Sequence, residues 1–262
     1  SLREKAEAEF AATAEASASA EAIGISFYAD SMAGDFTNSG AITVKAEAIG
    51  HTSAKASGQE SRAYGSDEGD SESYAEAVGI EAELWGYFSG SFINEAAVKA
   101  TASAKNYSRG EAIATGIGTA YATADASASA DAVGISISTH YAPVAGNIEN
   151  SSSIEAVANA FASAIAIGAR SYASASANAS AVGLQVDSWS SIEGQFSNGT
   201  LATLSDDDAT QPSIKALAIA QAKADGGSGT AEAYADAIGV SFYVDGTLGG
   251  GFSNSGDIVG EA

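Results

Sequence analysis

A two-part signature recurs five times along this chain and constrains its fold more than any bulk property. The first part is a small-residue tract ending in Gly between aliphatic residues: Ile23-Gly24-Ile25, Val78-Gly79-Ile80, Val133-Gly134-Ile135, Val182-Gly183-Leu184 and Ile238-Gly239-Val240. The second part follows 10 to 12 residues later and pairs Gly with an aromatic or aliphatic residue and then Asn. Its copies are Gly34-Phe36-Asn38, Gly90-Phe92-Asn94, Gly146-Ile148-Asn150, Gly194-Phe196-Asn198 and Gly250-Phe252-Asn254. The signatures therefore span 24–38, 79–94, 134–150, 183–198 and 239–254, with Asn-to-Asn spacings of 56, 56, 48 and 56 residues. A period of this size means a solenoid, a propeller or an array of small domains.

The tracts between signatures alternate. Ala124 to Ala132 places Ala on every even position and a polar residue on every odd one, and Ala14–Ala22 and Ala173–Ala181 repeat the pattern. Alanine is the best helix former. A helix, however, would smear a period of two around its circumference, whereas a strand puts every Ala on one face. The second part of the signature is strand-like too, since Gly34, Phe36, Asn38, Gly40, Ile42, Val44, Ala46 and Ala48 share one parity. Asn38-Ser39-Gly40 marks a corner, because Asn and Gly tolerate positive φ.

Strands that return to one corner chemistry per unit predict an all-β fold. The expected architecture is a parallel β-helix of about five imperfect ~55-residue repeats, forming one domain over 1–262. The alternative is an antiparallel β-sandwich. A 55-residue unit exceeds a turn of usual size, so two or three turns per unit are expected. Phe36, Phe92, Ile148, Phe196 and Phe252 then occupy equivalent core positions. The five Asn occupy equivalent corners, bonding backbone groups that a turn leaves unpaired. The Ala tracts form a thin layer between closely facing sheets. For residues 1–16 a short capping helix is the alternative to a strand.

Composition limits the function. Lys and Arg number 11 against 33 Asp and Glu, a formal charge of −22, which excludes a phosphate-binding stripe and hence nucleic acid. Docking to anionic lipid is equally disfavoured. There is no cysteine, hence no disulfide or thiolate chemistry, and no apolar run reaches the ~18 residues that span a bilayer. Ser1-Leu2-Arg3-Glu4-Lys5 lacks the apolar core of a secretory signal, which points to a processed or excised fragment.

The string from Gly34 to Ala48, preceded by an Ala/Ser tract into Ala22-Ile23-Gly24-Ile25, resembles the passenger repeats of bacterial autotransporters and hemagglutinin-like adhesins. The resemblance runs through all five copies and implies a right-handed parallel β-helix displayed outside a bacterial cell. It supplies no catalytic residues. His51 and His140 fall in different phases of different units and read as loop histidines, and no nucleophile elbow, P-loop or dinucleotide fingerprint is present. The chain is therefore not read as an enzyme. Two acidic runs, Asp67-Glu68-Gly69-Asp70 and Asp206-Asp207-Asp208, have the oxygen density a calcium ion wants and also the composition of solvated loops. Calcium is the only cofactor they imply. Trp85, Trp189, Tyr28, Tyr87 and Tyr243 lie between the signature halves, where they either form an exposed stripe for glycans or cover the core edge.

Lys5-Ala6-Glu7-Ala8 reads like Lys45-Ala46-Glu47-Ala48, and Glu261-Ala262 stop at that same register. This predicts an extracellular structural subunit whose partner is itself, stacked head-to-tail into a fibre or sheath. The alternative is a monomeric cell-surface adhesin stalk that binds glycans or host surfaces.

Overall fold

The computed structural model describes the backbone of residues 2–8, 11–58, 62–67, 71–114, 119–199 and 212–262. Among them there is no helix, and every strand pairing is parallel, so the β-helix holds and the antiparallel sandwich does not. Residues Leu2–Ala8 and Ala11–Thr13 are strands, which removes the capping-helix alternative.

The chain enters through β1 (Leu2–Ala8) and then cycles through three sheets. The first full turn comprises β2 (Ala11–Thr13) with β3 (Ser17–Ala29), β4 (Phe36–Asn38) and β5 (Ile42–Gly58). The second has β6 (Arg62–Asp67) with β7 (Glu72–Leu84), β8 (Phe92–Asn94) and β9 (Val98–Ala114). β10 (Thr119–Thr139), β11 (Ile148–Asn150) and β12 (Ile154–Ile167) make the third. The fourth consists of β13 (Arg170–Ser188), β14 (Phe196–Asn198) and β15 (Ser213–Asp225), and the last of β16 (Ser228–Val244), β17 (Phe252–Asn254) and β18 (Asp257–Glu261). A front sheet runs β1-β5-β9-β12-β15-β18 and a short sheet runs β4-β8-β11-β14-β17. The back sheet stacks β2/β3, β6/β7, β10, β13 and β16.

Each repeat is thus a single turn, not two or three: Ala20 pairs directly with Ala75, and Ala46 with Ala102. Unusually long strands absorb the length. β10 has 21 residues and β13 has 19, against the 3–10 typical of globular strands.

Alanine makes such long strands packable. The front and back sheets face each other along their Ala tracts, and Cα atoms of β10 lie within 8 Å of many in β9 and β12. Facing sheets normally stand about 10 Å apart, and only a methyl group fits the narrower gap. Ala100, Ala102, Ala128, Ala130, Ala158 and Ala177 are all fully buried in this layer.

At the signature glycines the cross-section widens. Before Gly134 the even residues Ala130 and Ala132 are buried; after it the odd residues Ile135 and Ile137 are. The glycine therefore reverses which parity faces inward, as the interrupted pairing Val133–Val182 then Ile135–Leu184 shows. Beyond this point the sheets diverge around Ile80, Leu84, Phe88, Val98, Ile154 and Phe196, and the short sheet closes the wide end.

Two register details depart from sequence similarity. Lys5 pairs with Ser53, not with the row of Lys45, so the resemblance of Lys5–Ala8 to Lys45–Ala48 does not place them together. An Ala alternation looks alike at every even shift, so it specifies register weakly. Glu261, by contrast, does fall in the row of Lys45, Thr101, Val157 and Leu217. Most of the short 48-residue spacing is absorbed at the thin margin: from the front-sheet row to the back-sheet row the chain takes 133−98=35 residues in one turn and 182−154=28 in the next. The wide end keeps its ladders unbroken.

Candidate functional site

The wide end carries the features that the signature encodes. The five Asn form one column: the Asn38 amide donates to Asn94 Oδ1 at 2.8 Å, and Asn94 donates to Asn150 at 2.7 Å. Asn150 donates to Asn198 at 2.7 Å and Asn198 to Asn254 at 2.8 Å. The expected backbone bonding is secondary to this, represented by Asn150 Nδ2 donating to Ser152 O at 2.8 Å. The positive-φ explanation holds at one corner, Asn198-Gly199, where Gly199 has φ 96°; among the described residues the only other positive φ is at Gly251 (89°), and no Asn has one. Asn is used here for its matched donor and acceptor, which let identical side chains bond along a column.

Phe36 stacks on Phe92 at 4.9 Å and Phe196 on Phe252 at 4.6 Å, with Ile148 in the row between Phe92 and Phe196. The two glycine positions form columns as well. A Cβ on Gly90, Gly146, Gly194 or Gly250 would run into the carbonyl oxygen of the equivalent glycine one turn before. A Cβ on Gly134 would meet Ile154 and would lie 2.5 Å from Gly183 O.

A further core row escaped the sequence reading: Met32, Phe88, Val144, Ile192 and Leu248 bridge one another turn by turn. Each lies two residues before the second signature's glycine, so the same alignment could have revealed it. Also unforeseen is a buried polar cluster in the Ala layer, where Asn106 donates to Ser71 O and, at 3.0 Å, to Ser127 O. Ser71 directly precedes β7, and its carbonyl also accepts from Ser127 N at 2.9 Å.

The aromatic residues between the signature halves form an outward column. Ring centroids are 6.2 Å apart for Tyr28–Trp85, 4.5 Å for Trp85–His140, 6.5 Å for His140–Trp189 and 6.3 Å for Trp189–Tyr243. Tyr28, Trp189 and Tyr243 are 61%, 60% and 53% exposed, which selects the exposed stripe over a core cover. Tyr87 lies in the loop that follows Trp85, while Tyr141 adds a ring 5.6 Å from Trp85. Glu83 accepts from Trp85 Nε1 at 2.9 Å and lies 3.3 Å from His140 Nε2.

His51 stands on the front sheet, stacked on Tyr107 at 4.7 Å, and is not brought to His140. Of the calcium candidates, Glu68, Asp70, Asp206, Asp207 and Asp208 lie outside the described residues. Asp67 ends β6. Among the described residues no group of three or more His, Asp or Glu is arranged to hold a metal ion.

Together these features define a three-sheet parallel β-solenoid whose wide end carries continuous side-chain columns. No protein-family model, curated protein or solved structure matches the chain.

Proposed function

We propose that the chain is a structural subunit that stacks head-to-tail into an extracellular fibre or sheath. The observation that carries this is the complementarity of the first and last described turns. Phe252, Leu248 and Ile258 are 49%, 46% and 37% exposed, whereas their equivalents one turn inward, Phe196, Ile192 and Ile214, are 1%, 1% and 0% exposed. One more turn in the same register would bury them, and the first turn of a second copy presents the matching residues Phe36, Met32 and Ile42. The Asn column reads the same way, since Asn254 is its last acceptor and retains an amide that suits Asn38 of a second copy.

Unpaired strand edges are templates for association, and heterologous end contacts that do not close produce filaments. β18 covers Ser213–Leu217 of the front sheet, whereas β1 covers Gly50–Ala56, a segment in register with the stretch from Ala222 onward. Both short strands therefore fit one row without overlap. Extracellular bacterial display is supported by the resemblance to adhesin passenger repeats and the absence of cysteine. Calcium binding by the acidic runs is part of the proposal, and chelation should then lower the thermal stability.

Gly34 supplies the test. No atom lies within 4 Å of a Cβ built there, whereas at each equivalent glycine the Cβ meets the previous turn's carbonyl. Gly34→Ala should leave the single chain's stability unchanged and abolish fibres in electron micrographs. Wild-type rods that stay monodisperse at high concentration and high salt would overturn the proposal in favour of a monomeric adhesin stalk.

A further inference from the structure

We propose that the column Tyr28–Trp85–His140–Trp189–Tyr243 is a docking surface for an extended, lysine- or arginine-rich polypeptide segment. This does not depend on end-to-end stacking, because the column runs along the side of the solenoid.

Charge is the first argument. The five segments that build this side, 26–38, 81–94, 136–150, 185–198 and 241–254, contain no Lys or Arg. They do carry carboxylates: Glu83 and Asp187 stand in the row of Tyr28 and Tyr243, Glu81 two positions before that row, and Asp30 and Asp245 at the two ends of the row of Trp85 and Trp189. A surface that carries carboxylates and no Lys or Arg attracts the opposite sign.

Ring chemistry is the second. Trp and Tyr faces attract ammonium and guanidinium groups, more strongly as those groups lose water. Successive rings are tilted by 47°, 30°, 29° and 64°. They therefore do not present the flat platform on which sugar rings would stack. A long cationic side chain would lie on the exposed surfaces of Tyr28, Trp189 and Tyr243, since Trp85 and His140 stand only 4.5 Å apart.

Another copy of this chain is a poorer match, because the front-sheet cations Lys45, Lys55, Lys99, Lys105, Arg109 and Lys215 each already lie within 4 Å of a carboxylate. Five rows at a spacing of ~4.8 Å span about 19 Å, the reach of about six extended residues. The complementary ligand is thus a short extended segment bearing a cation at every second position.

The test titrates the whole chain with an alternating Lys-Thr decapeptide by calorimetry at moderate salt. Trp189→Ala leaves the net charge at its wild-type value, so nonspecific attraction to an acidic chain is unaffected by it. Binding should weaken roughly tenfold in this variant. Glu232→Gln, on the back sheet away from the column, should change it little. Equal affinity of wild type and Trp189→Ala would overturn the proposal. So would the converse result, in which a neutral chito-oligosaccharide binds the column and the peptide does not. Repeating the titration on Gly34→Ala chains separates this surface from end stacking, since the column is intact there whether or not fibres form.

Discussion

Asn94 donates its side-chain amide to Asn150 at 2.7 Å across 56 residues of chain. It also accepts from Asn38 at 2.8 Å, and its side chain is 1% exposed. Asn94→Ala therefore removes two buried hydrogen bonds and strands a donor on one neighbour and an acceptor on the other. A loss of about 2–4 kcal/mol is expected in chemical denaturation. Asn254→Ala, at the exposed end of the column, should cost less than about 1 kcal/mol.

Gly134 tests the change in inward parity. Its added methyl would overlap Ile154 and the backbone of the next turn, and backbone cannot step aside as a flexible side chain can. Gly134→Ala should destabilise by about 3 kcal/mol or more, read as a lower thermal midpoint.

The Ala layer should reject larger residues. Ala158 is fully buried and sits between Ala102 and Ala218 in its row, with the back sheet opposite. Ala158→Leu should cost about 1–3 kcal/mol through overpacking. Ala169→Leu, in the thin-margin turn beyond the end of β12, should be nearly neutral.

Asp131 gives a pH prediction. Partial burial raises its carboxyl above the ordinary range, the neighbouring Glu76 carboxylate raises it further, and a hydrogen bond with Tyr74 opposes both. The folded state therefore holds this proton more tightly than the unfolded chain, so this residue's contribution to stability falls as pH rises through the folded value. Asp131→Asn should raise the denaturation midpoint at pH 7. The advantage should vanish below the normal carboxylate range, where both forms are neutral.

Much of the wide end was legible because its rows repeat in sequence: the parity of Phe36, Asn38, Ile42 and Val44 is the parity of the core. Other features were not, among them the Met32–Leu248 row and the Asn106 cluster. The number of turns per repeat was hidden because a 21-residue strand lies outside ordinary lengths, so a long unit looked like several short turns. The register of Lys5 was hidden by the sameness of the Ala alternation. The backbone bonding expected of the Asn residues is present at Asn150, but their side-chain column was hidden because it exists only once the turns are stacked. Tyr28, Trp85, Trp189 and Tyr243 were visible as a set, but not His140, whose ring stands between the two Trp, and the exposure of the column depends on the outward face after each signature glycine, where the inward parity changes.

The shortened fourth repeat has a consequence for how such a chain can be altered. Between the row of Val98 and Ile154 and that of Val133 and Val182, across the thin margin, the chain is seven residues shorter here than in the preceding turn (133−98=35 against 182−154=28), while the rows at Asn150 and Asn198 stay paired. That margin therefore works as an expansion joint beside a fixed ruler. Segments grafted or deleted there would change the width of one layer without moving the rungs of the ladder, so cargo placed along the margin would be spaced by whole turns.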